Sequence, residues 1–427
     1  MHGALSIYVH YPYCSRICSF CNFNKYLLPS STSQDALFGH YQKELKYGLN
    51  RYAASNSSRK IRSVYFGGGT PSLAPGIVPA VLQTILECGY SLDADCEVTL
   101  EANPSSLPNL QRLSDDGVTR MSLGVQSLSS SKHLAFFRRE HTVSQAISAL
   151  ERLAKARSLF KHGFTFDLLF GNPILPGGVQ TSLQDDLALA IPFAKIGGHL
   201  SLYELIVEGG TPLARQIQKD PSNCIMPDQD LRAEEYEQAA KVFRQHDWLH
   251  YEVSSFAASK QHIGRHNFAF WMGAPLLGIG PGAHGRLPLK RDDELVQVRT
   301  RNVPDPKRWA EQINTLQHGC AKEDTLTSGE FAEELIVLGL RTSAGVSASR
   351  FKALLAEGGQ ITNLSEHLDV DEVSQLVEHG LLVYNETSAI LADTPDEWQS
   401  AYDHGSLRTT HRGRFVLDTM LPRLLKS

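Results

Sequence analysis

At 427 residues the chain exceeds the roughly 250–300 residues over which one hydrophobic core normally grows, so one large and one smaller domain are expected. With 42% apolar residues, 20% charged residues and a net charge of -5, the composition is that of an ordinary globular protein and gives no electrostatic case for nucleic acid. No stretch approaches the roughly 18 consecutive apolar residues of a membrane span, so no transmembrane segment is predicted.

The first predicted strand begins near Ser6 and runs into SIYVHYPYCSRICSFCNFNKY (6–26). A strand so close to the first residue leaves no room for a signal or transit peptide. The chain is then expected to be cytosolic, or to derive from a precursor whose leader has been removed. Cys14, Cys18 and Cys21 have the spacing C-x3-C-x2-C, with Tyr8, His10 and Pro12 upstream and Phe20 between the last two thiols. Thiolates this close together can bend onto one metal centre, and thiolate is the soft ligand that iron–sulfur clusters take. A cubane normally takes four cysteines, so three would leave one iron open to a small molecule. The alternative is a structural zinc site. It would need four Cys or His ligands in paired spacing; no second pair follows, although His10 could complete a Cys3His set. Cys88, Cys96, Cys224 and Cys320 stand alone and read as buried small hydrophobes, and free thiols point to a reducing compartment.

Downstream, apolar residues at helical spacing predict a helix over 35–50, and IRSVYF (61–66) reads as a strand running into Gly67-Gly68-Gly69-Thr70. A helix follows near 76–88. Strand 96–104 then ends in Glu101 and Asn103, and strand 120–127 ends in Gln126. Between these two strands a helix is predicted near 107–116. Helices are predicted at 143–157 and near 180–195, strands at 164–173 (with Asp167) and 199–208 (with Glu204). This alternation predicts a parallel sheet covered by helices, and polar residues just inside or past successive strand ends predict one shared pocket. Each could instead cap the following helix. Residues 214–230 read as an irregular excursion, followed by a helix (231–246) and a strand (249–254). Residues 265–285 are rich in glycine and aromatics, as a segment lining a site would be. The charged stretch 287–306 ends in prolines, placing a domain boundary near 305. Beyond it, helices near 306–317, 329–341, 371–379 and 412–425 with a hairpin at 381–392 suggest a small winged-helix-like module.

The cysteine stretch resembles the signature of the radical S-adenosylmethionine superfamily. FGGGTPS (66–72), TLEANP (99–104), SLGVQSL (122–128), HLSLYELIVE (199–208), LGIGPGAHG (277–285) and ELIVLGLRTSAGV (334–346) are similar to the coproporphyrinogen dehydrogenase-related family along almost the whole chain. The dehydrogenase branch has a further cysteine two residues past the third ligand; Phe23 stands there, as in the HemW-type heme chaperones, and NFNKY is closest to the animal, mitochondrial form.

The resemblance implies a partial, open (β/α) barrel over 1–304 and a helical, winged domain over 305–427. It also implies a 4Fe-4S cluster on Cys14, Cys18 and Cys21, with S-adenosylmethionine on the open iron. Tyr8 and Phe20 would pack against these groups, Gly68, Gly69 and Thr70 would meet the cofactor's amino end, and Glu101 would bind its polar groups. Gln126, Arg139 and Asp167 match positions that hold a second cofactor molecule in the dehydrogenase branch. The family pattern Leu-Gly-Arg-x-His here reads Phe137-Arg138-Arg139-Glu140-His141, leaving open which arginine points inward. His266, in His266-Asn267-Phe268-Ala269-Phe270-Trp271, is the candidate heme ligand. The implied function is to bind heme and deliver it to heme-requiring proteins such as respiratory enzymes, in the mitochondrial matrix if the chain is eukaryotic and its leader is absent from this sequence, otherwise in the cytoplasm. The rival readings are oxygen-independent coproporphyrinogen III dehydrogenase, which Phe23 opposes, and a radical enzyme acting on another substrate.

Overall fold

Seven parallel strands form the middle of one open sheet, and the side chains on their two faces differ in character. The computed structural model describes residues 4–30, 33–179, 182–292, 294–356, 362–384 and 405–426. In chain order the barrel elements are β1 (Leu5–Tyr11), β2 (Tyr13–Cys14), β3 (Tyr26–Leu27), α1 (Gln34–Ser55), β4 (Lys60–Gly68), α2 (Ile77–Glu87), β5 (Ser91–Ala102), α3 (Leu110–Asp115), β6 (Arg120–Gln126), α4 (Ser131–Phe136), α5 (Val143–Lys155), β7 (Phe164–Phe170), α6 (Leu183–Gly197) and β8 (His199–Glu204). They are followed by α7 (Pro212–Lys219), α8 (Gln229–Gln245), β9 (Leu249–Glu252), β10 (Ser255–Ala257), α9 (Arg265–Trp271), β11 (Leu276–Ile279), β12 (His284–Arg291), β13 (Glu294–Asn302), α10 (Pro306–Leu316) and β14 (Cys320–Thr325). The sheet order is β14-β13-β12-β11-β1-β4-β5-β6-β7-β8-β10-β9. It is parallel from β11 to β8 and antiparallel at both flanks, so it does not close.

Side chains alternate along each strand. Val64, Phe66, Val98, Leu100, Met121, Leu123, Phe166 and Leu168 are fully buried in the main apolar cluster, to which the covering helices also contribute. The residues between them are polar: Tyr65, Glu97, Thr99, Arg120, Ser122, Thr165, Asp167, Ser201 and Tyr203 line a narrow space on the sheet's other face. A fully buried parallel strand usually reads as a continuous apolar run. Here period-two alternation persists because the inner face encloses a polar interior.

Several expectations are corrected. Within the expected excursion at 214–230 lies part of α7, with Thr211 as N-cap and Pro212 in the first turn, a standard start signal. The stretch 287–306 is no linker. Most of it forms β12 and β13, paired from His284↔Arg301 to Arg291↔Glu294, and its charges decorate strands near the sheet's edge. The helix and strand after it, α10 and β14, also pack with the barrel. Trp309 is buried against Tyr41 with ring centroids 5.0 Å apart, and β14 pairs with β13.

A separate apolar cluster begins at Leu326 and runs to Leu424. It holds α11 (Ser328–Leu340), α12 (Ala348–Ala356), α13 (Val370–Glu378) and two final helices at His411–Phe415 and Leu417–Leu424, where a single helix was expected. Of the expected hairpin at 381–392, the strand Leu382–Tyr384 pairs with Leu407–Thr409; residues 385–392 lie outside the described residues.

Candidate cluster and cofactor site

The cysteine loop leaves β1 at the carboxyl end of the strands and is held at both feet and at its crest. At its feet β2 pairs with β3, and the N–H groups of Tyr26 and Leu28 donate to the carbonyls of Pro12 (2.7 Å) and Cys14 (2.9 Å). At its crest the Ser19 N–H donates to Phe137 O (3.0 Å), and Ser19 O accepts from the Leu213 N–H (2.8 Å). Cys14, Cys18 and Cys21 are free thiols that line a cavity of about 350 Å³ together with Phe20, Gly68, Gly69, Thr70, Glu101, Gln126, Arg139 and Asp167. Burial pushes the Cys14 thiol up to about 11, opposed by a hydrogen bond with Thr70, and raises Cys21 as well.

Among the described residues no three Cys, His, Asp or Glu side chains converge as ligands of a single ion would. A cubane instead spreads its thiolates over separate irons, so this soft, three-thiol lining beside open space fits a cluster with one uncapped iron. His10 does not join the thiols. Its Nδ1 pairs with the Tyr8 hydroxyl (3.0 Å) and its Nε2 with Asn24 O (2.7 Å).

The glycine turn after β4 is tucked beneath this loop. Gly69 N–H donates to Tyr11 O (2.6 Å) and Thr70 N–H to Tyr13 O (2.9 Å). A Cβ on Gly68, whose φ is +106°, would lie 2.5 Å from the His10 ring, and one on Gly69 would lie 2.6 Å from Tyr13 O. Contact between the turn and the loop above it therefore demands glycine here.

Glu101 accepts from the Tyr65 hydroxyl (2.7 Å) and the Gly68 N–H (3.1 Å), while burial raises its pKa. The Asn103 amide reaches Thr70 Oγ1 (3.2 Å) and also accepts from Arg139 (2.8 Å). Arg139 points inward, donating to Gly124 O (2.5 Å) and reaching Cys18 Sγ at 3.2 Å. Arg138 is exposed, with φ +56°, where the family pattern has glycine. The left-handed residue after α4 turns its own side chain out and delivers the next one into the cavity. Arg138→Gly is accordingly expected to raise unfolding stability by about 1 kcal/mol, read by denaturant titration, without altering what Arg139 contacts.

Gln126 is only 9% exposed, has φ +73° and sits at a register shift between β6 and β7. Such a bulge re-aims a side chain, and strained backbone of this kind clusters at functional sites. Asp167 is pushed up to about 7, chiefly by burial and then by Glu101, with Ser201 and Arg139 opposing. A carboxyl raised in the fold contributes stability below its unfolded pKa that is lost as pH rises through the folded value. Asp167→Asn is therefore expected to stabilise the cofactor-free chain at pH 8, with the advantage shrinking toward pH 4; equal unfolding midpoints at both pH values would contradict this.

Two expected residues lie elsewhere. Tyr8 does not line the cavity. Its ring stands behind it, against Tyr65 (6.2 Å) and His10 (5.8 Å). His266 is 5% exposed, hydrogen-bonded through Nδ1 to Ser63 (2.9 Å), and lowered to about 4 by burial. It opens on neither large cavity. The segment expected to line the site forms α9, β11 and the start of β12; none of its residues lines the thiol cavity, whereas Asn267 and Trp271 line a neighbouring one. Tyr65 and Tyr203, which do line the cavity, were missed, although period-two spacing places Tyr65 on the inner face with Gly67.

Residues 8–171 match the family model for the radical SAM superfamily. The chain is 36% identical to the mouse protein "Radical S-adenosyl methionine domain-containing protein 1, mitochondrial", over 98% of this chain and 87% of the relative. It is 31% identical to the heme chaperone HemW of Bacillus subtilis (strain 168), over 81% of this chain and 86% of the relative. In fold it resembles the radical SAM enzyme coproporphyrinogen III oxidase (HemN) of Escherichia coli, with a TM-score of 0.72 and 18% identity, covering 99% of this chain and 90% of that one.

Proposed function

This chain belongs to the radical SAM family that includes Radical S-adenosyl methionine domain-containing protein 1 and the heme chaperone HemW, and from that premise we propose that it binds heme and passes it to heme-requiring proteins, respiratory enzymes among them. The observation that carries the reading is the meeting of three thiols, the glycine turn, Glu101, Gln126, Arg139 and Asp167 around one cavity. Cys14, Cys18 and Cys21 would hold a 4Fe-4S cluster. Thr70, Glu101 and the turn at Gly68 and Gly69 would take the polar end of S-adenosylmethionine. Phe20, edge-on to Phe137 at 5.2 Å, closes one wall against water, while Tyr8 acts from behind by fixing His10. Arg139 brings a cation and Asp167 a carboxyl raised to about 7 to the same space, where a zwitterionic cofactor would meet both; Gln126 adds an uncharged polar contact. When bound, the cluster supplies a one-electron reductant beside the sulfonium cofactor. The eukaryotic relatives carry mitochondrial names, which supports placing a eukaryotic chain of this kind in the matrix.

Phe23 stands at the mouth, 65% exposed, where the dehydrogenase branch has its additional cysteine. This favours the chaperone over the rival porphyrin enzyme. Titration of the anaerobically reconstituted protein with heme is expected to give a saturable Soret change, and its absence removes the proposal. Formation of protoporphyrinogen from coproporphyrinogen, S-adenosylmethionine and reductant would replace it with the dehydrogenase.

A further inference from the structure

Beside the thiol-lined cavity lies a second one of about 550 Å³, and the two share Tyr203, Glu204 and Ile206. The size suits a single organic ligand. One part of its wall is aromatic. Phe170 and Tyr236 stack at 5.5 Å with planes 7° apart, Phe415 meets Tyr236 edge-on at 4.8 Å, and Trp271 lies opposite an arginine. The rest is charged, with Arg232, Arg341 and Arg414 beside the carboxyls of Glu204, Glu252 and Asp418. Glu204 is held by Arg232 at 2.5 Å, and Glu252 accepts from the Ser254 N–H at 3.0 Å. Arg341 sits over the Trp271 ring at 4.8 Å, and its Nε is buried without an acceptor. A guanidinium stacked on an indole is an oriented fork that a carboxylate can complete.

We propose that this cavity, and not the surroundings of His266, is the porphyrin site: the macrocycle lies against the aromatic wall and Arg341 takes one of its two carboxylates. The inference rests on the heme reading above and adds the mode of recognition. None of the described residues lining the cavity is His, Cys or Met, and of its two tyrosines Tyr236 gives its hydroxyl to Val253 O while Tyr203 stands at the shared rim, so ring contact and carboxylate pairing are assigned the affinity. Metal-free protoporphyrin IX then binds about as tightly as heme. The shared rim at Tyr203, Glu204 and Ile206 brings the macrocycle's edge to the thiol-lined cavity without a separate channel.

The test is a set of titrations on the full chain, reconstituted with its cluster under anoxia, using heme, protoporphyrin IX and protoporphyrin IX dimethyl ester. Heme and the free acid are expected to bind saturably and alike, and the ester at least about tenfold more weakly. Arg341→Gln should weaken the two acids by roughly ten- to a hundredfold, the loss of a charge-assisted hydrogen bond, and leave the ester unchanged. Trp271→Leu should weaken all three. If Arg341→Gln does not fold, the acid–ester comparison on the unaltered chain still decides. Ester binding equal to acid binding, or a folded Arg341→Gln protein that binds the acids unchanged, overturns the assignment alone. Failure of the unaltered chain to bind heme overturns the functional reading and this inference with it.

Discussion

Replacement of Cys14, Cys18 and Cys21 by alanine is expected to give a folded chain that takes up no iron. After anaerobic reconstitution, iron and sulfide should fall from about four of each per chain to near zero. Folding should survive, because the loop is held by backbone bonds and not by its thiols: Ser19 to Phe137, Leu213 to Ser19, and Leu28 to Cys14. The far-ultraviolet spectrum of the variant should match that of the unaltered protein. Binding of S-adenosylmethionine, followed by calorimetry, should be lost together with the cluster, since Glu101, Thr70 and the glycine turn are left without the iron that would chelate the cofactor. Full iron retention by the triple variant would move the metal site elsewhere and remove the basis for the functional reading.

The second large effect concerns a residue remote from that cavity. Glu44, buried on α1, accepts four donors: the N–H groups of Gly280 (2.7 Å) and Gly319 (2.7 Å), the Asn302 amide (2.9 Å) and the Trp309 indole (3.1 Å). One carboxylate thus ties α1 to the ends of β11 and β13, to α10 and to the turn before β14. Glu44→Ala leaves the Gly280 and Gly319 N–H groups and the Trp309 indole buried without an acceptor, while the Asn302 amide keeps only its bond to Gly280 O (2.9 Å). Each such group costs about 1–3 kcal/mol, and the costs are not additive where groups share one site. A loss of about 4 kcal/mol in unfolding free energy is expected, measured by denaturant titration. Hydrogen exchange should quicken first around 280 and 319. A loss below about 1 kcal/mol would show that water replaces the carboxylate and that these segments do not depend on it.

Several features were legible because neighbouring residues decide them. The C-x3-C-x2-C spacing identifies the thiols that share a loop. The succession of strands and helices from β4 to β8 follows from strand runs alternating with helical spacing, and the structure sets these strands side by side in the same order. Glu101 and Asp167 announced themselves as acids inside apolar strands, and the structure places both on the cavity. The second cysteine-loop anchor, at Phe137 and Leu213, had no comparable signal, because its partners come from segments far apart in the chain. The β12–β13 hairpin was hidden for a different reason. Its charged strands, which lie next to the sheet's edge, have the composition of a linker, and only their pairing satisfies the backbone groups that a linker would leave to water.

Taken alone, the amino-acid order determined the three-thiol spacing, the alternating helices and strands, and the family resemblance, since spacing and periodicity are properties of a short stretch of backbone. Tertiary structure decided which of two adjacent arginines enters the cavity, that His266 faces Ser63 in the interior, and that a ring-walled, arginine-bearing space adjoins the thiols. These outcomes depend on the sign of one φ angle, on the packing of α9 against β4 and on the approach of residues 414–419 to β8, where segments distant along the chain are brought together by packing.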